Sequence, residues 1–243
     1  MDAEAMEPYG QSLLDFFNGD ISAEVVVHRD DGFMGDLPAS VFFRKPSDFS
    51  PLEQTAMTLC RGYVLDVGAG AGCHSLALQD RGIRVLAIDV SSHAIEIMLK
   101  RGVKEIQHGD VFEFHKGPFD TLLMMMHGIG LVEDLSGLDR FLCHAHKLLK
   151  PDGQIVFDSL DVRCTDDPGH LAYLETNRRA GRYFGQIRTR FEYKGKIGPF
   201  FGWLHVDPET LIDHAERIGW SCQVVCREDG GDFLAQLTPM GRA

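Results

Sequence analysis

Long hydrophobic runs are missing from this sequence of 243 residues. No apolar stretch reaches the roughly 18 residues that a membrane span needs. Residues 1–7 are acidic, unlike the basic and then apolar start of a secretion signal. The sequence also lacks internal repeats and low-complexity tracts. We therefore expect a cytoplasmic protein that has no membrane partner.

Cysteine is scarce and irregularly spaced, which indicates reduced thiols rather than a disulfide framework. The six are Cys60, Cys73, Cys143, Cys164, Cys222 and Cys226. The last two lie four apart in a strand-like run, so we expect both on one face of a sheet. Clustered metal ligands are missing as well. Only His144 and His146 lie close together, and on a helix they point to different sides, so we expect no metal site.

Basic residues are in the minority, and the formal net charge of −12 disfavours a protein that binds nucleic-acid phosphates. One segment is different: between Arg178 and Lys196, seven basic residues and one acid give a net charge of +6. This patch favours an anionic small-molecule substrate or an acidic partner, with Arg188 and Arg190 as candidate substrate ligands. It is otherwise the solvated face of a hairpin or a dimer contact.

The most informative stretch is an apolar run that ends in a glycine-rich turn. The run 64–67 predicts a strand, Gly68, Gly70 and Gly72 predict the turn, and Cys73 begins a predicted helix. Because glycine has no Cβ, a ligand can lie against the main chain and the start of that helix. Cys73 stands where the dinucleotide fingerprint requires its third glycine, which favours a different adenosine cofactor.

Acids stand at the ends of three successive predicted strands, at Asp66, Asp89 and Asp110. Ribose hydroxyls and the adenine amine donate hydrogen bonds, and an ionised carboxylate accepts them. Each acid alone could equally be a helix N-cap or a solvated strand end. Three in succession behind a glycine turn favour cofactor binding.

The periodicity of the chain indicates a parallel sheet, because strands of about six residues alternate with helices of about ten. The predicted strands are 64–67, 84–88, 104–108, 119–126, 154–158, 220–227 and 232–237. We read residues 150–153 as the turn before the fifth strand.

These features resemble the class I S-adenosyl-L-methionine (SAM)-dependent methyltransferases, whose first motif is similar to residues 66–72 here. The resemblance covers about residues 63–161. It implies an α/β, Rossmann-like, doubly wound seven-stranded sheet in the order 3-2-1-4-5-7-6, with the last strand antiparallel. It also implies SAM as cofactor, S-adenosyl-L-homocysteine (SAH) as product, and methyl transfer to a small-molecule acceptor.

The resemblance also assigns residues to the cofactor. Gly68 to Gly70 would approach its methionine part, Asp66 its amino group, and Asp89 its ribose hydroxyls. The full set of implied contacts is Asp66, Gly68, Ala69, Gly70, Asp89, Val90, Asp110, Val111 and Met126.

His127, just beyond the fourth strand, is the candidate general base, because the ordinary pKa of histidine lies near working pH. The alternative is a loop histidine bonded to the backbone. Asp158 and Asp161, after the fifth strand, are candidates for orienting the substrate or binding a divalent ion, but two carboxylates without an evident third ligand count against the ion.

Two segments flank the SAM-binding core, which we place at residues 61–161. Residues 1–60 are predicted to form an extension with a helix at 9–18 and strands at 23–29 and 40–44. Residues 162–206 are predicted to form an antiparallel β-hairpin lid, and 207–243 the last helix and closing strands of the core. By resemblance, the extension closes over cofactor or substrate, so Phe42, Phe43 and Arg44 are candidates for the pocket. The alternative is an edge hairpin with a solvated arginine.

Two other functions would share these features. A SAM-binding regulatory or sensor protein would keep the acids without turnover. A nicotinamide-dependent oxidoreductase would keep Asp89, although Cys73 and the closing strands count against it. Residues 126–129 read Met-His-Gly-Ile where DNA amino-methyltransferases carry Asn/Asp-Pro-Pro-aromatic. We therefore expect a small-molecule acceptor and no nucleic acid, and leave a homodimer open.

Overall fold

The computed structural model describes residues 3–241. Within them, the helices are α1 (Glu7–Phe17), α2 (Pro51–Leu59), α3 (Cys73–Asp80), α4 (Ser92–Arg101), α5 (Leu135–Leu148), α6 (Pro168–Arg179) and α7 (Pro208–Arg217). The strands are β1 (Glu24–Arg29), β2 (Met34–Pro38), β3 (Tyr63–Val67), β4 (Arg84–Asp89), β5 (Glu105–His108), β6 (Phe119–Met124), β7 (Leu149–Leu160), β8 (Gln186–Tyr193), β9 (Lys196–Ile197), β10 (Phe201–Leu204), β11 (Trp220–Arg227) and β12 (Asp232–Pro239).

A seven-stranded sheet has the order β11-β12-β7-β6-β3-β4-β5. β4 and β5 run parallel, as do β6 and β7, whereas β12 is antiparallel to both β7 and β11. Counted among these seven strands, the order is 3-2-1-4-5-7-6 with the last strand reversed, so the predicted α/β fold is confirmed. β6 is buried at five of six positions, as expected for a strand covered on both faces.

Two compact units make up the described chain. The first comprises the described residues up to Ser50, Leu65–Phe114 and Arg188–Phe201. The second comprises Pro51–Val64, His115–Ile187 and the described residues from Gly202 onward. The glycine turn therefore belongs to the first unit, and the loop after β6 belongs to the second.

A second sheet has the order β10-β8-β1-β2, with β9 paired to β8. Its β1 and β8 are antiparallel, with Val27 opposite Phe191, so the N-terminal extension and the insertion share one sheet. The sequence predicted these two segments as separate elements. The insertion also contains α6, which we did not predict, although Asp167 and Pro168 supply the N-cap and first-turn proline that mark such a helix.

The predicted strand at 40–44 is wrong. The strand that pairs with β1 is β2, and residues Ala39–Phe42 form a short 3-10 turn. Pro38 lacks the N–H that would extend the strand. The rings of Phe42 and Phe43 pack instead on Tyr9 and Phe16 of α1.

Irregularities in β7 and β11 make the structure differ from two predictions based on the sequence pattern. Residues 150–153, read as a turn, lie inside β7, where the register jumps from Phe119 opposite Leu149 to Thr121 opposite Gln154. A bulge in β11 puts Cys222 opposite Leu237 and Cys226 opposite Leu234. Because those partners are an odd number of residues apart, the two cysteines lie on opposite faces, and the one-face prediction is wrong.

Candidate functional site

The glycine turn follows β3 in the first unit. Gly70 has φ of +54°, and a Cβ there would lie 3.0 Å from the Tyr9 hydroxyl, so a side chain has neither the backbone conformation nor the room. The N–H groups of Gly68 and Ala69 donate to the Ile88 carbonyl at 2.9 and 3.1 Å. The turn is thereby fixed to the end of β4.

Asp89 accepts hydrogen bonds that shape this turn. Its Oδ2 accepts a hydrogen bond from Gly70 N, and its Oδ1 accepts one from Ser91 N, both at 2.8 Å. The residue is only 7% exposed, and burial raises the pKa of its carboxyl. Each oxygen keeps a second lone pair for a ligand hydroxyl. The sequence suggested the ligand contact but not the bond to Gly70.

Asp66 and Asp110 are also held by local donors. Ser75 Oγ, in the first turn of α3, donates to Asp66 Oδ2 at 2.6 Å, and burial raises the pKa of Asp66. The charge of Asp66 is a smaller cause, after burial, of the raised pKa of Asp89. Asp110 Oδ1 accepts from Phe112 N at 2.8 Å and caps the short turn Val111–Glu113. Their roles as cofactor contacts stay predictions.

The chemistry of this turn fits a nucleoside that carries no phosphate. The N–H groups of Gly68, Ala69, Gly70 and Gly72 all donate to protein oxygens, which leaves none of these four for a pyrophosphate. Asp89 offers acceptor oxygens beside a backbone surface without a Cβ. SAM, whose ribose hydroxyls need acceptors, matches this set better than a nicotinamide dinucleotide.

His127 lies in the second unit, just after β6. The strand ends at Met124, two residues earlier than predicted, and Met126 and His127 take φ of +60° and +57°. His127 N donates to Asp158 Oδ2 at 3.0 Å, and His127 Nε2 lies 2.6 Å from Asp232 Oδ1. Two carboxylates therefore set the backbone and the ring of this residue.

The acids also control the protonation of His127. Burial on its own lowers the pKa of the imidazole, but the hydrogen bond to Asp232 and the charges of Asp158 and Asp232 outweigh it, so the pKa is raised. The same bond lowers the pKa of Asp232. His127 and Asp232 thus form an ion-pairing dyad. Asp232, the first residue of β12, was not among the predicted site residues.

Two residues at and just beyond β10 complete this region. The His205 ring lies edge-to-face on His127 with centroids 5.2 Å apart. Burial and the neighbouring His127 lower the pKa of His205 to about 3, so its ring is neutral. Its buried Nδ1 has no hydrogen-bond partner within residues 3–241. Trp203 packs so tightly on Gly130 that a Cβ there would lie 2.1 Å from the indole ring.

The three predicted substrate arginines lie in the first unit. Arg44 Nε donates to Val41 O at 2.7 Å and so braces its own turn. Arg188 and Arg190 lie over the Phe200 ring, at 5.4 and 4.6 Å from its centroid. They alternate with Phe191 along β8 and therefore occupy the opposite face of that strand. Their role in binding an acceptor stays a prediction.

Much of the basic patch is compensated locally. Lys194 Nζ lies 2.6 and 3.1 Å from the carboxylates of Asp15 and Asp20, and Lys196 Nζ lies 3.2 Å from that of Glu7. In the second unit, Arg178 and Arg179 pair with Glu175, and Arg182 Nε donates to the amide oxygen of Asn177. Seven basic residues therefore do not make seven free positive charges.

Asp158 and Asp161 have different partners. Asp158 accepts from His127 N, whereas Asp161 pairs with Arg163 at 2.7 Å. Within residues 3–241, no group of three or more His, Cys, Asp or Glu side chains is arranged to hold a metal ion. None of the helices in the same range has the length and hydropathy of a membrane-spanning segment.

Comparison with known proteins defines the class. A methyltransferase domain family matches residues 65–157. The SAM-dependent methyltransferase from Bacteroides fragilis, solved in complex with SAH, is 33% identical over 99% of this chain and 97% of its own, with a TM-score of 0.86. The chain therefore belongs to the SAM-dependent methyltransferases, and SAM is its cofactor. This assignment removes the nicotinamide-dependent alternative.

Curated relatives match over a shorter stretch. Demethylmenaquinone methyltransferase from Tropheryma whipplei (strain Twist) is 32% identical over 99 residues, and the enzyme of that name from Clavibacter sepedonicus is 33% identical over the same length. The match spans 38% of this chain and only 39% of each relative. The DhpI structure with SAH, at 20% identity and a TM-score of 0.55, shares the fold.

Proposed function

We propose that this protein transfers a methyl group from SAM to a small-molecule acceptor and that His127 removes the acceptor's proton. The observation that carries the proposal is the 2.6 Å contact between His127 Nε2 and Asp232 Oδ1. A sensor protein without turnover has no need of an imidazole poised in this way. The membership in a methyltransferase family supports the same conclusion.

The division of labour follows from the residues. Bound SAM supplies a methyl carbon already activated by the adjacent positive sulfur. The chain then has two tasks, to bring a nucleophile to that carbon and to accept its proton. We assign cofactor binding to the predicted contacts around the glycine turn and proton removal to His127.

The dyad defines which atom of His127 is the base. Asp232 has a lowered pKa and is ionised, so it only accepts, and Nε2 must carry the proton in their bond. Nδ1 is then the basic atom of the neutral ring. The His127 side chain is 31% exposed, which leaves it open to a ligand. The acceptor group must be protic, such as a hydroxyl, an amine or an acidic C–H.

The name of the curated relatives does not decide the acceptor, because the match covers 39% of their length. Besides the dyad, His205 offers a neutral ring and a buried Nδ1 without a partner in the described chain. We propose that the insertion 162–206, which contributes both His205 and Trp203, forms the lid over the acceptor beside the SAM-binding core at 61–161.

An anionic acceptor is the second candidate. The observation that favours it is the pair of guanidinium groups on Phe200, since Arg190 Nε is buried without a hydrogen-bond partner in residues 3–241. Arg44 and Arg188 would then assist. Under this proposal, Arg190→Gln raises KM for an acidic acceptor and leaves KM for a neutral one unchanged.

A product-release assay tests the proposed function. The protein and SAM are incubated with fractionated small-molecule extracts, and SAH formation above the no-extract control is measured. We expect acceptor-dependent SAH formation from at least one fraction. Tight SAM binding with no SAH formation from any protic fraction would instead identify a sensor.

A further inference from the structure

Tyr9 of α1 lies directly on the glycine turn. Its hydroxyl is 3.0 Å from the position that a Cβ of Gly70 would take. Its ring packs edge-to-face on Phe42, with centroids 5.0 Å apart, and stacks on Phe191 at 5.7 Å. Tyr9, Phe42 and Phe191 come from three segments far apart in sequence. Their packing holds the phenol ring of Tyr9 against the glycine turn.

The neighbouring residue explains how α1 reaches this position. A Cβ on Gly10 would lie 2.5 Å from Ser91 Oγ and 3.0 Å from His93 Nδ1, so only glycine lets α1 approach the start of α4 this closely. Ser91 N in turn donates to Asp89. The pair Tyr9-Gly10 thus fixes α1 beside the acid that shapes the turn.

The Tyr9 hydroxyl is a hydrogen-bond donor placed at the glycine turn. Within residues 3–241 the structure gives it no hydrogen-bond partner, although it lies beside the glycine turn. Burial, together with the neighbouring Asp89 and Cys73, holds the pKa of Tyr9 well above its usual value. The phenol therefore stays protonated, and its O–H can donate a hydrogen bond to a ligand.

We propose that Tyr9 contacts the cofactor and donates its phenolic O–H to the carboxylate of the cofactor's amino-acid part. Asp66 and Asp89 already place two carboxyls at this turn, so an anionic ligand group requires a compensating donor. Tyr9 is a donor positioned at the turn. Asp89 can only accept and suits the ribose hydroxyls, which leaves the ligand carboxylate for Tyr9. This role holds whether or not His127 is the base.

Two ligands separate this contact from a general effect on the pocket. SAH carries the amino-acid carboxylate, whereas 5′-methylthioadenosine keeps the adenine, ribose and sulfur but lacks it. Calorimetric titration of the full chain with each ligand measures binding without any turnover. We expect Tyr9→Phe to weaken SAH binding about tenfold or more, as the loss of a hydrogen bond to a charged acceptor does. Its affinity for 5′-methylthioadenosine should stay within about twofold of the parent.

Tyr193→Phe is the matched control. It removes a hydroxyl from the sheet that carries Phe191, but that hydroxyl donates to Asp15 at 2.9 Å and not to the turn. We expect this variant to bind both ligands as the parent does. Two results overturn the proposal: unchanged SAH affinity in Tyr9→Phe, or an equal loss for both ligands. The second result would show that Tyr9 supports the pocket without touching the carboxylate.

Discussion

The glycine turn of the first unit and the His127 dyad of the second are built in different ways. At the turn, polar contacts join near neighbours: Ser75 lies 9 residues from Asp66, and Gly70 lies 19 from Asp89. His127 instead takes its partners from 31 and 105 residues away. The polar contacts of the glycine turn thus arise within one local stretch, although Tyr9 of α1 also packs on it, whereas the proposed proton site exists only after the closing strands assemble. The two should therefore fail separately on mutation.

The largest difference between the effects on reaction rate and on SAH affinity is expected from His127→Ala. Removing the base should lower the rate of SAH formation by about 10²- to 10⁴-fold. The affinity for SAH should not change, because the hydrogen bonds that shape the glycine turn run to Ile88 and Asp89. His115→Ala, which alters an exposed histidine of the same unit, is the control and should keep the parent rate. Equal losses of rate and of SAH affinity in His127→Ala would end the distinction between the two regions.

Asp89→Ala is the converse change. It leaves the N–H groups of Gly70 and Ser91 without their acceptor and removes the predicted ribose contact. Calorimetry should show SAH binding weakened about 100-fold, or roughly 2.7 kcal/mol. Asp80→Ala, at the exposed end of α3, removes a carboxylate that has no part in the turn and should bind normally. An Asp89→Ala protein that holds SAH like the parent would contradict the assignment.

Gly130→Ala tests the packing of the His127 region. The new Cβ would lie 2.1 Å from the Trp203 ring, so the loop or β10 must shift. We expect a loss of about 1–3 kcal/mol in the free energy of unfolding, measured by thermal denaturation. At Gly109 a Cβ meets nothing within 4 Å, and Gly109→Ala should cost less than the Gly130 change. Equal stabilities for the two variants would show that the Trp203 contact is loose.

Asp232→Asn tests the role of the His127–Asp232 dyad through the pH dependence of the reaction rate. A base must be neutral, so the parent rate should rise with pH through the raised pKa of His127. The Asn variant loses the carboxylate bond and charge, the pKa of His127 falls, and the rise should move to lower pH with a smaller plateau. An unmoved rise in the rate profile would exclude His127 as the titrating base.

The raised pKa of His127 also makes the stability of the protein depend on pH. Because the fold raises the pKa of His127, the stabilisation is complete below the unfolded value near 6.5 and is lost as pH rises through the folded value. Asp232→Asn should reduce that part of the pH dependence of unfolding, because the bond and charge of Asp232 are lost while the charge of Asp158 remains.

The sequence predicts the cofactor region well because the signals are local. Asp66, Gly70 and Asp89 stand in fixed relation to strand ends. The alternation of strands and helices predicts a parallel sheet, and the resemblance to class I methyltransferases implies its strand order. The fold confirmed that order, although the individual cofactor contacts are still predictions. The position of His127 was readable from the end of β6, but nothing near it in sequence indicates Asp232.

Long-range pairing and backbone irregularities account for what the sequence did not show. Val27 pairs with Phe191 across the second sheet, and His28 bonds Glu192 although 164 positions separate them. Phe42 has the pattern of a strand residue, yet it packs on Tyr9 because Pro38 ends the strand before it. One bulge residue in β11 moves Cys226 to the other face. Such contacts depend on the assembled fold and produce no periodic pattern in the sequence.

A crystal structure of this protein with SAH would test the central claim most directly. The account predicts that the ribose hydroxyls donate to Asp89, that the homocysteine part runs along Gly68 to Gly70, and that the adenine lies between Asp110 and Val111. A nucleoside bound away from the glycine turn, with Asp89 bonded only to Gly70 N and Ser91 N, would contradict it.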